Sequence, residues 1–180
     1  NFFIYFSDIG LAAALIQKKE EPTKNDLATT FTIQQTIIIS LVFLGLLFSS
    51  RIAQFYNLDI KGLMLLRVLI FSLFLSSLKT IPSIILERRL DFTRLVIPQI
   101  VENIVFYAVA VTLAIMKFEV AAFSWAVLAR GVVGLVIVYS NCPWKPALAF
   151  NKKSAKILIS FGLPFQLNSI LALLKDDLLT

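Results

Sequence analysis

The run from Leu27 to Ser50 contains no Asp, Glu, Lys or Arg, and it restricts the chain more than any other feature. The hydrocarbon core of a bilayer is about 30 Å thick, so a helix needs about 20 mostly apolar residues to cross it. A core helix of a soluble protein keeps a polar face at helical spacing, which this run lacks. The run therefore predicts a membrane-spanning helix.

Further apolar segments of similar length are interrupted by at most one or two ionisable residues. The chain is 58% hydrophobic and 16% charged, with a mean hydropathy of +0.85, well above the usage of soluble domains. The alternative, a large soluble helical domain, would need polar helix faces that are missing. We predict an all-α integral membrane protein with six spans, at residues 1–16, 31–50, 63–86, 95–116, 120–140 and 157–174.

Basic residues alternate between the predicted loops. The first, third and fifth loops are rich in Lys and Arg, whereas the second and fourth offer only Arg51, Lys61 and Lys117. By the positive-inside rule, loops near residues 17–30, 87–94 and 141–156 should face the cytoplasm, which predicts a multi-pass protein of the cytoplasmic membrane. The basic residues of these loops are Lys18, Lys19, Lys24, Arg88, Arg89, Arg94, Lys145, Lys152, Lys153 and Lys156.

The composition also excludes several function classes. The net charge of +6 is dispersed over separate short loops, whereas a nucleic-acid surface needs clustered Lys and Arg, so no nucleic-acid partner is expected. The basic loops are compatible with membrane lipid headgroups as partners. With no histidine, one cysteine (Cys142) and no glycine-rich phosphate loop, the chain offers no catalytic or metal-binding constellation. We expect no cofactor, no metal and no enzymatic activity.

Two charged residues inside predicted spans occupy equivalent depths. The loop between the third and fourth spans is centred between Leu90 and Asp91, so an antiparallel hairpin places Lys79 and Glu102 at the same level, about 12 Å inside. An unpaired charge there costs about 2.5–3.5 kcal/mol, which favours an ion pair. Two alternatives remain: Lys79 extends to the headgroups while Asn103 or water satisfies Glu102, or the two residues act directly in transport.

Arg130 and Asp8 lie near the middle of their predicted spans, and Arg67 lies near an outer end. Charges at such depth are candidate functional residues, so Arg130 is expected to contact Asp8 or an anionic cargo group. Arg67 is expected to extend outward to the headgroups. The small residues around these charges should allow close helix packing; they are Gly10, Ala14, Gly131 and Gly134.

Three stretches resemble the polysaccharide-biosynthesis branch of the multidrug/oligosaccharidyl-lipid/polysaccharide exporter superfamily, which includes the O-antigen flippases. They are "FSDIGLAAALIQKKE" (Phe6–Glu20), "IPSIILERRLDFTRL" (Ile81–Leu95) and "ISFGLPFQLNSIL" (Ile159–Leu171). The resemblance implies about 12 to 14 transmembrane helices in two lobes, with alternating access to a central cavity. It also implies that this chain is an internal six-helix fragment, from roughly the second to the seventh helix.

The function that the resemblance implies is a flippase for lipopolysaccharide or exopolysaccharide precursors. Its partners would be lipid-linked oligosaccharides of the undecaprenyl diphosphate type, membrane lipids and polysaccharide-assembly proteins. A cationic residue suits the diphosphate, which makes Arg130, Lys79 and Arg67 the candidates, with Glu102 and Asp8 as further intramembrane polar residues. The alternatives are a drug or cation exporter of the same superfamily, which would favour acidic residues, and a membrane-embedded polysaccharide polymerase or ligase, which would need a large outer loop.

Overall fold

The structure is a computed structural model that describes residues 10–142 and 144–178, with side chains described as far as Asn168. All regular secondary structure in these residues is α-helical, as predicted. The helices are α1 (Leu11–Gln17), α2 (Lys24–Phe55), α3 (Ile60–Leu78), α4 (Thr80–Arg88), α5 (Phe92–Ile115), α6 (Val120–Asn141) and α7 (Lys152–Leu178).

Four segments among the described residues are long and apolar enough to cross a membrane. They are α2, the combined segment Ile60–Arg88 formed by α3 and α4, α5 and α6. They contain the predicted spans at 31–50, 63–86 and 120–140, and the predicted span at 95–116 except for its last residue. The predicted span at 157–174 falls within α7, and its membrane crossing stays a prediction. Most of the predicted span at 1–16 lies outside the described residues.

Helix α2 begins at Lys24, earlier than the predicted span at 31–50, because the chain carries a capping box there. The Thr23 backbone N–H donates to Asp26 Oδ2 over 2.9 Å, and the Asp26 N–H donates to Thr23 Oγ1 over 3.2 Å. At the other end, Asn57 takes a left-handed conformation (φ 52°) and the Leu58 N–H bonds the Ala53 carbonyl, which stops the helix.

The chain forms two compact units, and residues 10–34 and 145–178 belong to the first. In this unit α1 packs against α7. Gly10 has a left-handed φ of 72°, and a side chain there would overlap the backbone of Gly162. The predicted role of Gly10 in close helix packing is therefore confirmed, and glycine is required at this position for conformation and for space.

Residues 35–144 form the second unit, in which α6 packs between α3 and α5. Helix α2 belongs to this unit from Gln35 onward, and Gln35 Nε2 donates to Ser77 Oγ of α3 over 3.0 Å. Helices α3 and α4 are separated by Lys79 alone. Pro82 stands one turn beyond this break and lacks the N–H that would continue the hydrogen-bond ladder back to Leu78.

Candidate functional site

Three charged side chains of the second unit lie at one level of the helix bundle. Lys79 lies nine residues before the end of α4, Glu102 ten residues after the start of α5, and Arg130 eleven residues before the end of α6. These three helix ends lie on the same side of the unit, so each residue is about 14 to 17 Å inside at 1.5 Å per residue. The three residues are called the charge cluster below.

Glu102 joins the two cations of the charge cluster. Its Oε1 lies 2.5 Å from Lys79 Nζ, and its Oε2 lies 3.4 Å from Arg130 Nε. The ion pair of Lys79 with Glu102 that equal depth predicts is therefore present. The side chains of Lys79 and Glu102 are 15% and 8% exposed, whereas that of Arg130 is 48% exposed. With all three groups ionised, the cluster carries a net charge of +1.

Small residues on α6 make room for this arrangement. A Cβ atom on Gly134 would lie 2.7 Å from Cγ of Glu102 and closer still to its carboxyl group. A Cβ atom on Gly131 would lie 2.9 Å from Leu75 Cδ1 of α3. A side chain at Gly134 would displace Glu102, and one at Gly131 would require the Leu75 side chain to shift, so these two glycines let α6 approach α5 and α3 closely, as predicted.

A cavity of about 280 Å³ opens beside the charge cluster. The serine hydroxyls come from α3, the carboxylate comes from α5, and Arg130 comes from α6. The cavity can therefore offer hydrogen-bond donors and positive charge to an anionic group, next to an apolar wall. Its lining residues are Leu69, Ser72, Ser76, Lys79, Glu102, Val127, Arg130 and Gly131.

Helix α6 also satisfies two backbone carbonyls that prolines leave without a partner. Pro82 cannot donate to the Leu78 carbonyl, and the Tyr139 hydroxyl donates to it over 3.0 Å. In α5, Pro98 cannot donate to the Arg94 carbonyl, which accepts a hydrogen bond from Asn141 Nδ2 over 3.4 Å. The end of α6 therefore supports the backbone of α3 next to Lys79 and the backbone of α5, the helix that carries Glu102.

Comparison with known proteins gives a family that fits a membrane bundle with a polar centre. The family model described as polysaccharide biosynthesis protein matches residues 1–180. The chain belongs to this family. No curated protein and no solved structure matches it significantly. The resemblance noted in the sequence is thereby confirmed at the level of the polysaccharide biosynthesis family, over the whole length of the chain.

Arg67, another predicted site residue of this polysaccharide biosynthesis protein, lies apart from the charge cluster. Arg67 donates from Nε to Ser49 Oγ over 3.1 Å and from Nη2 to Ser50 Oγ over 3.3 Å. Two hydroxyls of the neighbouring helix α2 thus hold the guanidinium group of Arg67 near the end of that helix, and its extension to the headgroups stays a prediction. Asp8, the predicted partner of Arg130, lies outside the described residues.

Sequence reasoning missed several residues of the site. The sequence predicts Asp8 or an anionic cargo group as the partner of Arg130 and does not indicate its contact with Glu102. The roles of Tyr139 and Asn141 were also missed, although a signal existed, since each proline identifies the carbonyl four residues earlier as needing a donor. Among the described residues, no group of three or more His, Cys, Asp or Glu side chains could hold a metal ion.

Proposed function

We propose that this polysaccharide biosynthesis protein is a flippase, which moves lipid-linked oligosaccharides of the undecaprenyl diphosphate type across the cytoplasmic membrane by alternating access. Such a cargo has a polar, anionic head that must pass through hydrocarbon. A carrier therefore needs a polar cavity inside its helix bundle with cationic groups for the diphosphate. The family, the four membrane-length segments and the charge cluster together support this function.

Arg130 is the observation that carries the proposal. Its contact with Glu102 uses only Nε, at the long distance of 3.4 Å, and no other hydrogen bond or ion pair of Arg130 is found among the described residues. Its side chain is about half exposed beside the cavity. The two terminal nitrogens of the guanidinium can therefore bind phosphate oxygens in a bidentate manner.

Lys79 has a different role in this proposal. It is largely buried, and its ammonium group is held 2.5 Å from Glu102, so most of its charge is already compensated. The cavity of about 280 Å³ is small for a drug-sized ligand, since such sites enclose about 300 to 1,000 Å³. It suits a diphosphate group, while the sugars and the lipid chain would lie outside it.

The same contacts favour a flippase over the two alternatives. A drug or cation exporter needs an acidic residue that can accept a cation, but Glu102 is already shared by two cations. A polymerase or ligase needs a long outer loop for its acceptor. On the predicted outer side, the connections between described helices are residues 56–59 and 116–119, which are too short for such a site.

Substitution of Arg130 in the full-length protein tests the proposal. Arg130→Lys keeps the charge but loses the bidentate geometry, so we expect partial export. Arg130→Ala should abolish export while the protein still accumulates in the membrane. Surface polysaccharide and membrane protein level are measured on the same cells, with Arg51→Ala as a control, since Arg51 lies over the Phe48 ring near the end of α2. Normal polysaccharide output from the Arg130→Ala strain would contradict the proposal.

A further inference from the structure

The connection between α6 and α7 exposes two large apolar side chains. Residues 145–151 have no regular secondary structure and are all exposed. Within them, Leu148 is 78% exposed and Phe150 is 60% exposed. We call residues 145–151 the interface segment. Its apolar side chains need a partner, because exposing them to water forgoes the free energy gained by burying apolar area.

The interface segment is anchored to α2 and is therefore a defined surface. The Ala149 N–H donates to Thr32 Oγ1 over 3.1 Å, and Thr32 Oγ1 in turn contacts the Ala149 carbonyl oxygen at 3.0 Å. The Asn151 N–H donates to Thr29 Oγ1 over 3.1 Å. Leu148 and Phe150 therefore lie on either side of Ala149, whose backbone is held next to Thr32 of α2.

The position of Thr29 and Thr32 along α2 corresponds to one end of the hydrocarbon layer. Helix α2 has 32 residues and is about 48 Å long, which exceeds the bilayer core of about 30 Å. Its charge-free run begins at Leu27, whereas Lys24 and Asp26 precede it. Thr29 and Thr32 therefore lie in the first turns of α2 to enter the membrane, and the segment bound to them lies at the boundary with water.

The charged residues that precede and follow the interface segment in the sequence are all basic. Between Cys142 and Leu174 the chain contains no Asp or Glu. Four lysines lie on both sides of the exposed apolar pair, and all of them are exposed. Each lysine near an anionic membrane surface contributes about 1 kcal/mol of attraction, a factor of about five in a binding constant. The four residues are Lys145, Lys152, Lys153 and Lys156.

We propose that the interface segment binds the anionic lipid leaflet on the predicted cytoplasmic side. Leu148 and Phe150 insert between the acyl chains just below the headgroups, and the lysines contact the phosphate groups of anionic phospholipids. The combination of apolar side chains with adjacent lysines is typical of segments that lie in the membrane interface. This inference rests on contacts of the first unit and does not depend on the charge cluster or on the cargo.

Spin labels in the full-length protein, reconstituted in vesicles that contain phosphatidylglycerol, test the insertion. Nitroxides are placed by Leu148→Cys, Phe150→Cys and the control Lys153→Cys, with the native cysteines replaced. The ratio of accessibility to oxygen over a water-soluble nickel chelate should be several-fold higher at positions 148 and 150 than at 153. Greater access by the nickel chelate at 148 and 150 would overturn the proposal. Access by neither reagent would assign a protein partner and would also overturn it.

The lipid charge is tested with the same labels. Exchange of phosphatidylglycerol for phosphatidylcholine should lower the oxygen-to-nickel ratio at position 150. The combined variant Lys152→Gln, Lys153→Gln and Lys156→Gln should remove this dependence, whereas the control Lys61→Gln should retain it. If the triple variant fails to accumulate, the oxygen-to-nickel ratio is measured in 1 M salt on the protein that keeps its lysines. The Debye length then falls to about 3 Å, which screens the attraction between the lysines and the lipid. An oxygen-to-nickel ratio that changes with neither lipid charge nor salt would contradict binding to anionic headgroups.

Discussion

The buried carboxylate of Glu102 lies between two cations, and this makes the three members of the charge cluster unequal. Removing Lys79 leaves Glu102 with Arg130 as a partner, although at 3.4 Å. Removing the charge of Glu102 leaves Lys79, only 15% exposed, without a counter-ion. An uncompensated buried charge costs far more than the absence of the pair, so Glu102 is the member on which the cluster depends most.

A double-mutant cycle on Lys79→Met and Glu102→Gln should therefore be non-additive and asymmetric. We expect Glu102→Gln alone to cost about 3 kcal/mol, Lys79→Met alone to cost less, and the double variant to recover part of the loss. Thermal stability of the full-length protein in detergent measures all four states. Strictly additive effects would show that the ion pair contributes nothing to stability.

Gly134 sets the space available to the Glu102 carboxyl group. Gly134→Ala should displace Glu102 from Lys79 and lower stability by about 1 to 3 kcal/mol, the usual cost of overpacking. In a Glu102→Ala background the same substitution should have little effect, because the clashing atoms are gone. Gly45→Ala is the control, since the three atoms nearest to the new methyl group belong to the Ile70 side chain and lie at 3.2 Å or more. An equal loss from Gly134→Ala in both backgrounds would exclude this explanation.

Among the helices, α6 supplies the hydrogen bonds that stabilise the proline interruptions in its neighbours. Its end carries Tyr139 and Asn141, and each supplies a hydrogen bond to a carbonyl that a proline leaves free. In hydrocarbon no water replaces such a donor, so a proline interruption is tolerated only where another group takes over. Lys79 lies at the interruption between α3 and α4, so the Tyr139 hydrogen bond to Leu78 also fixes the backbone next to the charge cluster.

This role of Tyr139 is tested together with Pro82. Tyr139→Phe removes only the hydroxyl and leaves the Leu78 carbonyl without a donor, which should cost about 0.5 to 1.5 kcal/mol. Pro82→Ala restores a backbone N–H four residues after Leu78. In the Pro82→Ala background the hydroxyl of Tyr139 should therefore become dispensable. The measurement is thermal stability in detergent, and an undiminished loss from Tyr139→Phe in that background would contradict the assignment.

At the level of the whole molecule, the basic loops predict one orientation in the membrane. Single cysteines at Lys19, Arg89 and Lys153, in a Cys142→Ser background, should resist a membrane-impermeant thiol reagent added to intact cells. A cysteine at Asp59 should react. Cys142 itself is buried, and burial raises the pKa of its thiol, so at neutral pH it forms less of the reactive thiolate than an exposed cysteine. Labelling of the first three positions in sealed cells would overturn this orientation.

Hydropathy in the sequence alone determined the helical membrane class and the four central segments, and residue position in the hairpin determined the pairing of Lys79 with Glu102. Each of these depends on position along the helix axis, which residue number converts to depth at 1.5 Å per residue. The turn supports this, because α4 ends at Arg88 and α5 begins at Phe92, so its centre is Leu90, within one residue of the predicted centre. Depth was enough to find the ion pair.

Only the tertiary structure decided which helices face one another and how each is rotated about its axis. An apolar helix in lipid lacks a polar face that would reveal this rotation, so no pattern showed that Arg130 turns towards Glu102 or that Arg67 turns towards Ser49. The close approach of α6 depends on Gly134 and on where Tyr139 meets Leu78. These contacts arise from side-chain packing between distant segments, which local sequence does not specify.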